Sequence, residues 1–158
     1  MNSEKLLRLE EIPSNYLVGK IVYIDTRIIN GCTNGVIDVD QYLIKINAFQ
    51  NVNPTTEIII CTGSLAWLDE FNNAGYRVMP QITSMAMYEN LLLSFSIFHG
   101  VVVSNADIKK EDVSLIHADG KEVVIFEMRS ALGIRRAFKK MPDAVMTDNI
   151  RKALIEKY

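Results

Sequence analysis

Histidine and cysteine are scarce in this chain, with two of each in 158 residues. Cys32 and Cys61 are too few for a disulfide framework, and with His99 and His117 they match no zinc-ligand spacing. Both thiols read as core residues, and both histidines as ordinary helix-end or turn residues. Trp67 is the single tryptophan, flanked by Ala66 and Leu68, and reads as core packing. No apolar run approaches the roughly 20 residues that cross a bilayer, so no membrane contact is expected. The opening MNSEKLLRLEEIP carries acids and no extended apolar stretch; no secretory signal is expected, and a cytoplasmic location follows. A G-x-x-x-x-G-K-S/T phosphate loop, an internal repeat and low-complexity tracts are all missing.

What is present is a core-forming chain. Apolar residues make up 49% of it, enough at this length for one well-packed domain. The wealth of Ile, Asn and Lys points to an AT-rich bacterial or phage genome. The charge is divided unevenly. Residues 129–158 hold Arg129, Arg135, Arg136, Lys139, Lys140, Arg151, Lys152 and Lys157 against Asp143, Asp148 and Glu156. That surplus of five leaves −7 on residues 1–128, given the net −2 of the whole. A mildly acidic body, residues 1–128, is thus followed by a basic helical extension, residues 129–158. The extension suits an anionic partner or, equally, a solvated helix face that neutralises the body.

Strand and helix patterns alternate along the body. Residues 20–29 (KIVYIDTRII) are β-branched and apolar, a first strand, closed by the turn signals Asn30-Gly31 and Asn34-Gly35. Val39, Tyr42, Leu43, Ile46 and Phe49 recur at helical spacing over 38–50. Strands are expected at 57–61, 76–81, 101–103 and 122–126. Helices are expected at 64–73, after Ser84, and at 109–117, with Ser64 and Ser84 as caps. Repeated units of this length call for a three-layer α/β domain, a mostly parallel sheet with helices on both faces. In the extension, 130–140 is a basic helix, and Thr147-Asp148 caps a last helix. Met146, Ile150 and Leu154 would form the apolar stripe that docks that helix on the core.

Three acids draw attention because the alternation carries them toward one sheet edge. Asp25 lies near the end of the first strand, Glu89 near the start of a helix, and Asp107 after the fourth strand. With Asp112 as a fourth member, they could bind Mg²⁺ or Mn²⁺ through oxygen ligands and activate water against a phosphodiester. Each also has a structural reading: Asp25 in a turn, Glu89 at a helix N-terminus, Asp107 capping the next helix. Thr62-Gly63-Ser64 could face a phosphate, although a simple N-cap explains it as well.

Three segments together resemble the PIN-like nucleases, in particular their NYN branch. They are VYIDTRIIN, GVIDVDQYLIKINAFQNVNPTTEIIICTGS and YENLLLSFSIFHGVVVSNAD, within residues 20–128. The resemblance implies a PIN-like sheet and a metal-dependent ribonuclease, with Asp25, Glu89 and Asp107 catalytic and Mg or Mn as cofactor. Arg135, Arg136, Lys139 and Lys140 would then bind RNA or another nucleic acid through its phosphates. The pattern departs from that family at Ile28, at Tyr88-Glu89 and at Ala106, which displaces Asp107 by one place. The alternative is therefore a pseudoenzyme, a PIN-like regulator that binds a macromolecular partner without catalysis.

Overall fold

The computed structural model describes residues 12–26, 39–95 and 97–157. After a short 3-10 turn at Ser14–Tyr16 the chain runs β1 (Ile21–Asp25), α1 (Val39–Val52), β2 (Glu57–Thr62), α2 (Leu68–Asn73) and β3 (Arg77–Ile82). It continues with α3 (Met85–Ser94), β4 (Gly100–Ser104), α4 (Lys110–Ala118), β5 (Glu122–Phe126), α5 (Ala131–Phe138), β6 (Ala144–Val145) and α6 (Ile150–Lys157). The parallel α/β reading therefore stands. Part of the expected first strand, residues 27–29, and the turn signals around Cys32 lie outside the described residues. The strand missed in the sequence is β6, two residues long and preceded by Pro142. Its pairing comes from docking rather than pattern: the Asp143 and Met146 N–H groups donate to Val123 and Ile125 carbonyls at 3.0 and 2.9 Å.

Strand order corrects the expected layering. The six strands lie in the order β1-β2-β3-β4-β5-β6, and every neighbouring pair is parallel. Right-handed crossovers that always step to the next strand in the same direction leave every helix on the same face. The side chains agree. Alternate strand residues (Val22, Ile24, Ile58, Ile60, Val78, Val101, Val103, Val123, Ile125) share one apolar cluster with Ile46, Phe49, Phe71, Leu91, Val113, Ile116 and Ile134 of the helices. The opposite parity (Tyr23, Ile59, Cys61, Met79, Val102, Val124, Phe126, Ala144, Met146) forms a second, smaller cluster that holds no helix residue among those described. A PIN-like sheet with helices on both faces is thus replaced by a singly wound one.

Such a sheet curls about its helix-free face. Laid flat, β1 and β6 would stand about 24 Å apart at ~4.8 Å per strand spacing. Instead, Asp25 of β1 and Met146, Thr147 and Asp148 after β6 line one cleft. At the other end, the Tyr23 hydroxyl has its pKa raised by burial, then by Glu122, Cys61 and, more weakly, Asp143 just before β6. This is the winding of a (β/α) barrel, drawn with six strands where a closed barrel has eight.

The amino-terminal mouth of the curl is held by charge. Arg77 donates to Glu57, and its second terminal nitrogen donates to Glu122 at 2.6 Å. These groups are 30–43% exposed, so each pair adds little stability, but together they tie β2, β3 and β5. Between them, Gly100 leaves room where a Cβ would run into the Glu122 backbone.

In the extension, α6 begins at Ile150, and Asn149 Oδ1 accepts from the Lys152 N–H at 3.1 Å. The expected stripe does not dock. Met146 packs inside the concave face, whereas Ile150 and Leu154 are 69% and 57% exposed. Contact is made by Ala153 and by the Arg135–Glu156 pair at 2.7 Å, which turns a different face of the helix inward.

Replacing Gly100 by alanine tests the tight mouth. Overpacking against backbone should cost about 1–3 kcal/mol, a fall of roughly 2–4 °C in Tm per kcal/mol at this size. A thermal melt of Gly100→Ala that matches the wild type would show that the mouth yields freely.

Candidate functional site

Parallel strands wound in one direction end at one rim, and the turns there are fixed by specific hydrogen bonds. After β1, buried Thr26 donates both its N–H and its hydroxyl to the Cys61 carbonyl, at 2.9 and 3.2 Å. After β2, Thr62 Oγ1 accepts from the Ser64 N–H at 3.0 Å and closes the Thr62-Gly63-Ser64 turn on itself. Ser64 occupies the N-cap position of a 3-10 turn but makes no side-chain cap bond. After β5 and β6, Thr147 Oγ1 donates to the Met128 carbonyl at 2.7 Å and accepts from the Asn149 N–H at 3.2 Å. The first of these bonds joins the exits of the last two strands.

Enclosed by these exits is a cleft of about 380 Å³, lined by Asp25, Cys61, Gln81, Phe126, Glu127, Met128, Arg129, Thr147 and Asp148, among others. The carboxyl end of such strands is where ligands are bound in barrels and open α/β sheets alike. Cys61, Val102 and Phe126 contribute apolar lining, and three acidic residues and one arginine, Arg129, line it as well. Glu127 stands at φ 66°, a left-handed backbone that a non-glycine residue adopts at a cost. Burial pushes the Cys61 thiol up to about 12, and the Asp25 carboxylate adds to the shift. The thiol is therefore protonated at neutral pH and serves as lining, not nucleophile.

The acids singled out in the sequence are dispersed. Asp25 reaches the cleft. Glu89 is exposed on α3, one residue beyond the buried Tyr88 that turns toward the sheet and donates to Asp119 at 2.8 Å. Asp107 is exposed in the turn after β4, with its N–H on the Ser104 carbonyl at 3.0 Å. Asp112 accepts from the Lys109 N–H at 2.8 Å at the start of α4. Among the described residues no three His, Cys, Asp or Glu side chains gather closely enough to hold a metal ion. The carboxylates of the cleft therefore do not fit Mg²⁺ or Mn²⁺ as they stand, and no chemistry is routed through one.

The basic segment is divided too. Arg135 is engaged by Glu156, and Lys140 donates to the Asn105 side chain at 2.8 Å as well as to its carbonyl. Arg136 and Lys139 line a second cavity with Lys140, Ser104, Asn105, Ala106 and Glu127. Both histidines sit toward the opposite, amino-terminal edge. His99 directly precedes β4, and burial, then Arg77 and Lys121, pushes its pKa down. His117, in the last turn of α4, meets Asp143 at 2.9 Å. Gln81 near the end of β3, and Glu127, Arg129, Thr147 and Asp148 just past β5 and β6, carry no motif of their own; their signal is their place at a strand end, legible only once the winding is known.

No family model matches the chain, and no curated protein matches it in sequence. Solved structures do. A Galdieria sulphuraria protein named for glycerophosphodiester phosphodiesterase activity superposes with a TM-score of 0.65 at 11% identity, over 84% of this chain and 55% of that one. One from Silicibacter pomeroyi, named for glycerophosphoryl diester phosphodiesterase activity, gives 0.60 at 15%, over 73% and 43%. An Oleispira antarctica phosphodiesterase, solved with its product sn-glycerol-3-phosphate, gives 0.61 at 14%, over 72% and 48%.

The likeness is one of fold.

The chain spans about half the length of these neighbours. The likeness overturns the PIN/NYN resemblance, and with it the nucleic-acid-directed ribonuclease and the decayed PIN-like regulator. The short motifs behind that resemblance mark strand ends, which singly and doubly wound sheets share. No described helix is long and apolar enough to cross a membrane.

The raised thiol pKa has a testable consequence. Between the ordinary thiol value and about 12, an unfolded chain loses the Cys61 proton while the folded one keeps it, so stability falls as pH rises through that window. In a Cys32→Ser background, Cys61 should resist a thiol reagent at pH 8 and react fully once urea unfolds the chain. Rapid labelling of the folded protein would place the thiol in solvent.

Proposed function

We propose that the carboxyl-end cleft binds a small phosphate ester of the glycerophosphodiester type. The observation that carries this reading is Arg129, which brings a guanidinium to a cleft otherwise rimmed by Asp25, Glu127 and Asp148 at the ligand-binding end of a barrel-type sheet. A guanidinium matches a phosphate with paired N–H donors, while hydroxyl groups donate well to carboxylates. The named activities of the structural neighbours, phosphodiesterases in each case, support the same ligand class. The role read from this geometry is binding and orientation. The rim carboxylates are the acid–base groups at hand if the ester is also cleaved.

Isothermal titration with sn-glycerol 3-phosphate and with a glycerophosphodiester tests the reading. Saturable binding is expected, weakened by about 10–100-fold in Arg129→Ala, the loss of a charged hydrogen bond worth roughly 1.5–3 kcal/mol. Absence of binding to both ligands, or unchanged affinity in the variant, would remove the proposal. Following glycerol 3-phosphate release from the diester then separates a binder from an enzyme.

A further inference from the structure

Beside the cleft lies the second cavity, about 540 Å³, which shares Glu127 with the first. Its charges are Arg136, Lys139 and Lys140 against Glu127 alone, a surplus of two positive charges. Arg136 and Lys139 have no hydrogen-bond or ion-pair partner among the described residues, unlike Arg135. The wall that carries them is braced. Asn105 accepts from Lys140 and donates through Nδ2 to the Gly133 carbonyl at 3.4 Å, so both ends of α5 are pinned to the turn after β4. Through its bonds to the Asn105 side chain and carbonyl, Lys140 acts as a strut between α5 and that turn. Ser104 is buried in the cavity lining, and its Oγ accepts from the Ala106 N–H at 3.2 Å, so the hydroxyl keeps its own hydrogen as a donor.

We infer that this cavity is an anion site for a phosphate group, separate from the proposed ester cleft. Arg136 supplies a planar fork of N–H donors, Lys139 a mobile ammonium and Ser104 a hydroxyl, all complementary to oxygens that only accept. The surplus of two charges matches a phosphate dianion, whereas a lone carboxylate would leave one cation uncompensated. A free phosphate and a phosphomonoester present the same group, and both belong in the test.

The experiment is an NMR titration of the whole ¹⁵N-labelled chain with inorganic phosphate and with sn-glycerol 3-phosphate. Each is set against sodium chloride of matched ionic strength, in wild type, Arg136→Ala/Lys139→Ala and Arg129→Ala. Saturable shifts are expected at the amides of Ser104, Asn105, Ala106 and Arg136 with either ligand. They should weaken at least tenfold in the Arg136/Lys139 double variant and persist in Arg129→Ala. Binding by only one of the two ligands identifies the free anion or the ester as the source, and supports the site either way. Shifts that chloride reproduces, that survive in the double variant, or that are confined to Arg129, Thr147 and Asp148 would overturn it. The last pattern would leave the ester cleft standing, and loss at Arg129 alone reports on that cleft and not on this site. Arg136 and Lys139 are exposed, so their replacement leaves the fold in place.

Discussion

The direction of winding is the constraint on which everything else rests. Crossovers between parallel strands of one sheet are right-handed as a rule, and here each carries the chain one place onward, β1 through β6, without reversing. Helices accumulate on one face, the sheet bends away from them, and every strand finishes at the same mouth. Had the order reversed once, the same strands and helices would have made a three-layer sheet with a crevice at the reversal. Asp25 and Thr147 would then not have met across one cleft.

Secondary structure was largely legible because it is encoded locally. β2 through β5 appear where strands are expected, and Ser84 caps α3 as read, accepting from the Met87 N–H at 3.2 Å. Layering was not legible, because doubly wound and singly wound sheets use the same units. The discriminating signal is faint: the strand face away from the helices is also apolar, as Ile59, Met79, Val102 and Val124 show. Buried on both faces, such strands look alike in either fold. β6 was invisible for another reason. Two residues cannot display a period, and the strand exists because β5 offers it carbonyl partners.

Of the acids singled out in the sequence, Asp25 lines the candidate cleft, and for a reason independent of the family resemblance. An acid at the end of an apolar strand falls at the carboxyl-end rim in any parallel sheet. Glu89 lies away from it because of helix phase: its neighbour Tyr88 takes the inward position, so Glu89 faces solvent. Asp112 was spent locally on the Lys109 N–H. Arg129, by contrast, was counted only as part of a basic segment. The structure separates it from Arg135, which is paired to Glu156, and from Arg136 and Lys139, which line a different cavity.

Charge placement also bears on how far the likeness to phosphodiesterases extends. A phosphate entering the cleft meets carboxylates from Asp25, Glu127 and Asp148 and must sit against Arg129, because repulsion from the acids grows as water is displaced. The acids then suit the hydroxyl-bearing part of an ester better than its phosphorus, which orders the ligand end to end. His99 and His117, the groups that usually exchange protons near neutral pH, are held toward the other mouth by β4 and by Asp143. Any proton transfer in the cleft would thus fall to its carboxylates. If the cleft binds an ester as proposed, orientation of the ligand is the contribution its charges make most directly.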